Sequence, residues 1–271
     1  MISFANAKIN IGLNIVGKRA DGYHLLESVF YPFPLYDILE ITSTESATKT
    51  TLEITGLHLP INDNNLCLKA YHILQERFNL PPVHIHLHKQ VPYGAGLGGG
   101  SSDGALVLKM LNEKFNLGLS VSQLEQEAIK LGADCPFFIQ NKPRYAEGIG
   151  TDFSAVSLDL SDKFLVLVKP IVNISTVEAY QHVEPTPSSE DLREVLRFPV
   201  QDWKFYVKND FEEGIFEMYP IIREIKLALY TAGALYASMS GSGSAVYGIF
   251  PKPIDLTALK GLGQVYYPNE I

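Results

Sequence analysis

One glycine-rich run limits what this chain can fold into more than any other stretch. Between Pro92 and Ser102 the sequence reads Pro-Tyr-Gly-Ala-Gly-Leu-Gly-Gly-Gly-Ser-Ser, and Asp103 follows. A backbone without Cβ atoms can adopt positive φ angles and can approach a ligand closely. Ser101, Ser102 and Asp103 are typical N-cap residues, and residues 105–112 after them have a helical pattern. Because a helix N-terminus binds anions, the run predicts a phosphate-binding loop.

Other kinds of glycine-rich loop are the alternatives. A Walker A loop ends in Gly-Lys-Ser or Gly-Lys-Thr, and no Lys follows the glycines here, which excludes it. Residues 94–99 satisfy the dinucleotide string G-x-G-x-x-G, but a helix is predicted where that fold needs a second strand ending in an acidic residue. A dinucleotide site and a surface turn without a ligand therefore stay open, while a phosphate cradle is favoured.

Length and charge restrict the class of protein. The chain has 271 residues, 46% of them hydrophobic, which predicts a globular protein of one large or two medium domains. A net charge of −8 without a basic cluster predicts that neither nucleic acid nor a membrane surface is a partner. The first residues have no signal-peptide pattern, and Cys67 and Cys135 suit reduced thiols, so we expect a cytoplasmic protein. The sequence does not predict an oligomeric state.

A strand near the N-terminus carries alternating side chains. Four aliphatic residues fall on one face and four other residues on the opposite face. The pattern predicts a half-buried strand whose polar face is either solvated or part of a site. The two faces are formed by Ile9, Ile11, Leu13 and Ile15, and by Lys8, Asn10, Gly12 and Asn14.

Three histidines alternate along a second predicted strand, 83–89. His84, His86 and His88 share one face, with neighbours about 7 Å apart. That spacing suits a single tetrahedral metal ion poorly, and a solvated strand face explains the histidines more simply. No protein ligand to a metal is predicted.

A single carboxylate stands between a glycine and a proline in residues 132–138, Gly-Ala-Asp-Cys-Pro-Phe-Phe. A capping box predicted at Ser122 and Glu125 opens the helix that ends here, so Asp134 is expected at a helix exit. It is either a solvated turn residue or a group held in a site, and composition does not decide between the two.

The C-terminal half has the element order of a ferredoxin-like βαββαβ domain. The N-terminal half begins as an antiparallel sheet, and a loop at 141–151 marks the boundary. We therefore predict an α+β protein with domains at 1–155 and 156–271 and a ligand site in the cleft between them. The predicted C-terminal strands are 163–169, 234–239, 245–250 and 264–267.

Five strings carry a family resemblance. Pro92-x-x-x-Gly-Leu-Gly-Gly-Gly-Ser-Ser resembles the second motif of the GHMP kinases, the superfamily of galactose, homoserine, mevalonate and phosphomevalonate kinases, and Ser240-Gly-Ser-Gly resembles the third. The likeness runs from about Ser3 to Phe250, although residues 183–203 match poorly. Three further strings resemble the members that phosphorylate a cytidylated methylerythritol in non-mevalonate isoprenoid biosynthesis: Ala7-Lys-Ile-Asn-Ile, Arg19-Ala-Asp-Gly-Tyr-His24 and Gly132-Ala-Asp-x-Pro-Phe.

The resemblance implies a two-domain GHMP kinase fold and ATP-dependent phosphorylation of a hydroxyl, with Mg²⁺ accompanying ATP. It implies Asp134 as the base that accepts the hydroxyl proton and Lys8 as its cationic partner. The substrate is implied to carry a cytidine diphosphate moiety, with His24 at the edge of the cytosine and Tyr180 on its face. The residues implied to bind ATP are Asn65, Lys89, Pro92, Tyr93, Gly94, Ala95, Gly96, Leu97, Gly98, Gly99, Gly100, Ser101 and Ser102. Those implied to bind the alcohol substrate are Asn10, Tyr23, His24, Tyr180, Gly241 and Ser242.

Two other functions stay open within that fold. The chain is either a GHMP kinase for another small alcohol, of the mevalonate or homoserine type, or a nucleotide or sugar-phosphate sensor that has lost the chemistry. The presence of both Lys8 and Asp134 favours a kinase over a sensor.

Overall fold

The computed structural model describes residues 1–43, 48–57, 64–188 and 190–267. By its internal contacts the chain divides into two compact units, each built from several segments of sequence. The domain bounds predicted from the sequence, and the cleft between those domains, stay predictions. The first unit comprises residues 1–7, 34–93 and 98–142, and the second comprises residues 8–33, 94–97 and 143–271.

Two long strands open the chain. Strand β1 spans Ile2–Lys18, strand β2 spans His24–Thr42, and the two pair with each other. The sequence pattern predicts separate strands at 25–33 and 36–42, but β2 is continuous through Pro34. Pro34 lies between the stretches of β2 that pair with β5 and with β4, so its missing N–H interrupts neither of those two ladders. Those stretches are residues 28–30 and 38–42.

Strand β1 is buried on both faces, so the prediction of a half-buried strand is wrong. The aliphatic face has no exposed surface at Ile9 and Ile11. The polar face is enclosed as well, since Lys8 is 4% exposed, Asn10 3% and Asn14 8%. Hydrogen bonds to serine side chains elsewhere in the chain satisfy the two enclosed amides.

The first unit combines a mixed sheet with four helices. Strand β3, Thr51–Gly56, pairs in parallel with β4, His84–Lys89, and β4 pairs antiparallel with β2. The helices are α1, Leu66–Phe78; α2, Gly99–Lys114; α3, Val121–Ile129; and α4, Cys135–Gln140. Helices α1 and α2 pack closely because Gly104 has no side chain: a Cβ atom there would lie 3.0 Å from the Cβ of Leu66.

Local capping decides where the helices begin. The sequence predicts Asn64 or Asn65 as the cap of a helix through about Phe78. Asn65 is the cap, since its Oδ1 accepts a hydrogen bond from the Cys67 amide at 2.9 Å. The capping box predicted at Ser122 is wrong, because Ser120 and Gln123 form it two residues earlier. Both serines precede a Glu or Gln by three residues, so the sequence pattern is met twice.

The histidine face of β4 is hydrogen-bonded to β3. Thr51 Oγ1 lies 2.8 Å from His84 Nδ1, and Thr55 Oγ1 lies 2.9 Å from His86 Nε2 and 3.0 Å from His88 Nδ1. Among the residues that the structure describes, no group of three or more His, Cys, Asp or Glu side chains could hold a metal ion. The three histidines belong to the hydrogen bonding of the sheet surface.

A hairpin of the second unit corrects the loop predicted at 141–151. Strands β5, Arg144–Glu147, and β6, Asp152–Ala155, pair antiparallel, and β5 also pairs with β2. Gly148 and Gly150, with φ angles of 67° and 92°, form the turn. Glycines mark hairpin turns and open loops alike, so their presence did not reveal the strands.

The remaining strands of the second unit form a sheet of four. They are β7, Phe164–Lys169; β8, Tyr236–Met239; β9, Val246–Phe250; and β10, Gln264–Tyr266. The helices are α5, Thr176–Tyr180; α6, Leu192–Val195; α7, Glu212–Met218; and α8, Pro220–Thr231. The strand order β10-β7-β9-β8 with antiparallel neighbours confirms the ferredoxin-like arrangement, although its last helix is a single 3-10 turn at Thr257–Gly261. In the described part of the chain, no helix is long and apolar enough to cross a membrane.

Candidate active site

The glycine-rich run ends in the N-terminus of α2. Gly98 is the N-cap residue, with a left-handed φ of 67°, and the Ser102 amide donates to Gly98 O at 2.9 Å as the first bond of the helix. The caps predicted at Ser101, Ser102 and Asp103 are therefore wrong, because the helix has already begun there. Within the described residues no side chain caps this end. The amides of the first turn lack partners within the helix, so the position suits an anion.

The run has a packed side and an open side. Gly99 and Ser102 are buried, and a Cβ atom at Gly99 would lie 2.9 Å from Val91 Cγ1. Gly100 is exposed, and a Cβ atom there would meet no described heavy atom within 4 Å. An open backbone at a helix N-terminus is what a phosphate cradle requires.

Lys89 of β4 is held between two carboxylates. Its Nζ contacts Oδ2 of Asp37 and lies 2.8 Å from Oδ2 of Asp103, and all three side chains are buried. Asp37 Oδ1 also accepts hydrogen bonds from the amides of Gln90 and Val91, at 2.6 and 2.8 Å. Because Asp103 belongs to α2, this cluster ties the start of that helix to β2 and β4.

Charge and burial oppose each other in this cluster. Burial lowers the pKa of Lys89, but the charges of Asp103 and Asp37 outweigh burial and raise it. Burial raises the pKa of Asp103 to about 8, against the Lys89 charge and with the help of the Asp37 charge. Asp103 Oδ1 has no hydrogen-bond partner among the described atoms. The Lys89 ammonium is thus engaged by protein groups, and its contact with ATP stays a prediction.

In the second unit, residues 94–97 of the run lie against the turn between β8 and β9. Ser240 Oγ donates to Gly96 O at 2.9 Å, and the Ala245 amide donates to Ala95 O at 3.2 Å. Gly96 has a φ of 74°, and a Cβ atom there would lie 1.9 Å from Ser240 O. Only glycine fits this position, and the two glycine- and serine-rich strings are in direct contact.

Lys8 and Asn10 stand on the polar face of β1 beside the same residues. The Lys8 amide donates to Leu97 O at 2.9 Å, and Lys8 Nζ donates to Asn10 Oδ1 at 2.5 Å. The ammonium also lies 4.5 Å from the centroid of the Phe30 ring. The backbone amide of Asn10 donates to Ser240 Oγ at 3.2 Å. The backbone of β1 thus contacts both strings, and Asn10 holds the Lys8 ammonium beside that backbone.

Asp134 lies directly before α4 and not at a helix exit as predicted. Helix α3 ends at Ile129, and Asp134 is the N-cap residue of α4. Its side chain is partly exposed and makes no capping hydrogen bond. A partly exposed carboxylate fits the predicted role of a base, while its pairing with Lys8 stays a prediction.

His24 and Tyr180 form a stacked pair of rings. Their centroids lie 4.5 Å apart and their planes differ by 17°. Tyr180 meets Phe211 at 89°, with centroids 4.9 Å apart. Burial, with help from the charge of Lys18, lowers the pKa of His24, so its ring is mostly neutral at pH 7. Tyr23, the other aromatic residue of the predicted substrate site, is 62% exposed.

The remaining predicted residues differ in exposure. Tyr93 is 73% exposed, whereas Gly241 is buried with a φ of 55°. A Cβ atom at Gly241 would lie 3.1 Å from Asn10 Oδ1. Ser242 Oγ lies 3.5 Å from Thr176 Oγ1. Asn10 and Gly241, two of the predicted substrate residues, are therefore in direct contact within the second unit.

Sequence reasoning missed three buried polar residues that hold these groups. Asp37, Asp103 and Asn209 hydrogen-bond to partners that lie 52, 14 and 30 residues away in the sequence. No local pattern reveals such pairs. The available signal was weaker: Asp37 is a carboxylate within a mostly apolar strand, and Asp103 is a carboxylate directly after the glycine-rich run.

The chain matches two domain families, GHMP kinases N terminal domain over residues 65–142 and GHMP kinases C terminal over residues 190–260. A 4-diphosphocytidyl-2-C-methyl-D-erythritol kinase of Bacteroides fragilis is 54% identical over 261 residues, which are 96% of this chain and 95% of that protein. One of Parabacteroides distasonis is 49% identical over 254 residues, 93% of each. A crystal structure of 4-(cytidine 5'-diphospho)-2C-methyl-D-erythritol kinase has a TM-score of 0.84 at 30% identity and 98% coverage of both chains.

The helix-terminal glycine cradle, the ferredoxin-like sheet and the two domain matches define a GHMP kinase. The sequence identity to the two bacterial relatives, over nearly the whole length, identifies one family among the GHMP kinases. The chain belongs to the family of 4-diphosphocytidyl-2-C-methyl-D-erythritol kinases. This membership replaces both the dinucleotide site and the turn without a ligand as interpretations of the glycine-rich run.

Proposed function

We propose that this chain transfers the γ-phosphoryl group of ATP to a hydroxyl of 4-diphosphocytidyl-2-C-methyl-D-erythritol. The products are the 2-phosphate and ADP, in the non-mevalonate route to isoprenoid precursors. The observation that carries the proposal is the 54% identity to a kinase of that name over 96% of the chain. The cradle at α2 supports the donor half of the reaction, since it offers unpaired amides to a phosphate.

ATP binds, in this proposal, with its phosphates on the open side of the glycine-rich run. Gly100 supplies uncovered backbone, and Asn65 lies near the adenine. Lys89 acts behind the run, where it holds α2 in place. Mg²⁺ accompanies ATP and is carried mainly by phosphate oxygens and water, which this ion prefers to a cage of protein ligands.

Lys8 and Asp134 carry the chemistry in this proposal. Asp134 accepts the proton of the attacking hydroxyl, and the Lys8 ammonium stabilises the negative charge that develops on the transferring phosphoryl group. Asn10 fixes the ammonium through its 2.5 Å hydrogen bond, and the Phe30 ring adds a cation–π contact. Because phosphoryl transfer has a loose transition state, positioning and charge supply most of the catalysis.

The cytosine binds at the pair of His24 and Tyr180. The His24 ring covers one face of Tyr180 at 4.5 Å, which is the spacing of an aromatic stack. A base that stacks on this face of Tyr180 takes the place of the imidazole. We therefore infer that His24 turns away from Tyr180 when the base binds, and hydrogen-bonds the edge of the cytosine as a neutral ring.

The direct test measures ADP release from ATP with a panel of alcohols at equal concentration. The panel holds 4-diphosphocytidyl-2-C-methyl-D-erythritol, mevalonate, homoserine and galactose. We expect turnover with the first compound alone. A higher rate with another alcohol would assign a different GHMP kinase activity, and ATP binding without ADP release from any of them would assign a sensor.

A further inference from the structure

Asn209 is a buried amide between the two halves of the predicted substrate site. It is 4% exposed and lies alongside Leu13 of β1. The Leu13 amide donates to Lys208 O at 2.9 Å, and the Asp210 amide donates to Leu13 O at 2.8 Å. The backbone around Asn209 is therefore fixed to the strand that carries Lys8 and Asn10.

The Asn209 side chain donates both of its N–H groups, and accepts one hydrogen bond, all with backbone partners. Its Nδ2 donates to Met239 O at 2.9 Å and to Gly241 O at 2.8 Å. Its Oδ1 accepts from the Phe211 amide at 3.0 Å. Two donors and one acceptor on a planar group of this size are available only from asparagine, since aspartate lacks the donors and leucine lacks all three.

One end of this amide controls the turn that touches Asn10. Gly241 lies so close to Asn10 Oδ1 that an added Cβ atom would be 3.1 Å away, and the adjacent Ser240 Oγ accepts from the Asn10 amide at 3.2 Å. Asn10 in turn accepts from Lys8 Nζ. A shift of the carbonyl of Gly241 therefore reaches the ammonium of Lys8 through two contacts.

The other end of the amide controls the ring stack. Phe211, whose amide is bound by Asn209, holds Tyr180 edge to face, and Tyr180 stacks on His24. Phe211 is itself 3% exposed, so its ring has little freedom to move independently of its backbone. One side chain thus fixes both the turn next to Lys8 and the platform proposed for the base.

We propose that Asn209 is a positioning residue that sets the distance between the base platform and the reacting end of the alcohol substrate. The inference rests on the proposed function, because it presumes that the base and the hydroxyl belong to one substrate. Asn209 touches neither and acts through Phe211 and Gly241.

The test compares Asn209→Asp and Asn209→Leu with a matched control, Asn112→Asp. Asn112, which belongs to the first unit, has similar chemistry with other partners: its Nδ2 donates to Leu119 O at 3.1 Å and its Oδ1 accepts from the Leu119 amide at 2.9 Å. We expect both Asn209 variants to raise KM for the cytidylated alcohol by about tenfold or more, with KM for ATP near that of the wild type. Asn112→Asp is expected to lower the melting temperature while leaving both KM values unchanged.

A second variant keeps the inference testable if the Asn209 variants do not fold. Phe211→Leu leaves the amide hydrogen bond in place and removes the ring that holds Tyr180, and we expect the same selective rise in KM. Asn209→Leu and Tyr180→Ala combined should be non-additive, since Asn209 acts through Tyr180. Unchanged KM for the alcohol in Phe211→Leu and Asn209→Leu would overturn the inference. A wild-type protein without activity on the cytidylated alcohol would instead refute the proposed function.

Discussion

The ammonium of Lys89 lies 2.8 Å from the Oδ2 atom of Asp103 and also contacts Asp37, so two buried carboxylates share one cation. If both carboxylates are ionised, two negative charges face the single positive charge of Lys89. Asp37 accepts two backbone amides in addition to Lys89, while Oδ1 of Asp103 has no partner among the described atoms. Burial raises the pKa of Asp103 to about 8.

The first prediction is that the free energy of unfolding falls as pH rises from about 5 to 8. The folded protein keeps a proton on Asp103 in this range and the unfolded chain, with an ordinary carboxyl pKa, does not. The contribution has a slope of at most about 1.4 kcal/mol per pH unit and ends above the folded pKa. Denaturant unfolding at several pH values measures it, and Asp103→Asn should remove it. Asp162→Asn, which changes a carboxylate that is 72% exposed, should leave the slope intact.

The second prediction concerns the proposed catalytic pair. Asp134→Asn and Lys8→Ala should each lower kcat by about 10²-fold or more, because one removes the base and the other the charge that stabilises the transition state. KM for ATP should change far less, since the cradle binds the phosphates independently. Steady-state kinetics tests this, with Lys130→Ala as the control at a lysine side chain that is 59% exposed. Wild-type turnover in either variant would remove that residue from the mechanism.

The third prediction concerns the open side of the cradle. Gly100→Ala should weaken ATP binding by about tenfold, because the new methyl group enters the open space in which the phosphates are proposed to bind. The melting temperature without ATP should stay near that of the wild type, whereas the increase that ATP produces should shrink. Gly261→Ala is the matched control, since a Cβ atom there also meets no described atom within 4 Å. Normal ATP affinity in Gly100→Ala, measured by calorimetry, would make the run a structural loop only.

Gly98→Val is a harsher variant of the same test. The φ of 67° at Gly98 disfavours a branched side chain, so this variant should lose ATP affinity and some stability together. Gly100→Ala, at an exposed position, separates the loss of ATP affinity from the loss of stability, and Gly98→Val does not.

The fourth prediction concerns recognition of the base. His24→Ala and Tyr180→Ala should each raise KM for the cytidylated alcohol by about tenfold, since base stacking on an aromatic ring contributes about 1–3 kcal/mol. KM for ATP should remain near the wild-type value. Tyr206→Ala removes a ring from an exposed pair, with Phe198 at 5.5 Å, and is the control.

A nucleotide comparison tests the same proposal without mutation. CDP should compete with the alcohol substrate and not with ATP, and it should inhibit more strongly than uridine diphosphate. Equal potency of the two nucleotides, or competition against ATP alone, would contradict a cytidine site at His24 and Tyr180.

Features that depend on neighbouring residues could be predicted from the sequence. The cap of α1, expected at Asn64 or Asn65, and the order of strands and helices in the ferredoxin-like domain follow from short patterns. The start of α2 was misplaced because an N-cap glycine with positive φ has no side-chain signature. Burial of the polar face of β1 was missed because it depends on Ser28 and Ser188, whose pairing no periodicity reveals.

The same limit applies to the residues that hold the candidate site. Asn209 stands in an ordinary polar stretch, Lys-Asn-Asp, and only the folded chain brings its amide to Met239 and Gly241. The family motifs indicate residues that meet ligands, whereas the groups that support them are distributed through the sequence.

The contact of Gly96 with Ser240 has a consequence for how this enzyme can be altered. The carbonyl oxygen of Ser240 would lie 1.9 Å from a Cβ atom at position 96, although the two residues are 144 positions apart. A side chain at position 96 therefore requires the turn at Ser240 to move away from it. A chimaera that takes its glycine-rich run from one relative and its serine-rich turn from another should fold only when both parents space these two backbones equally.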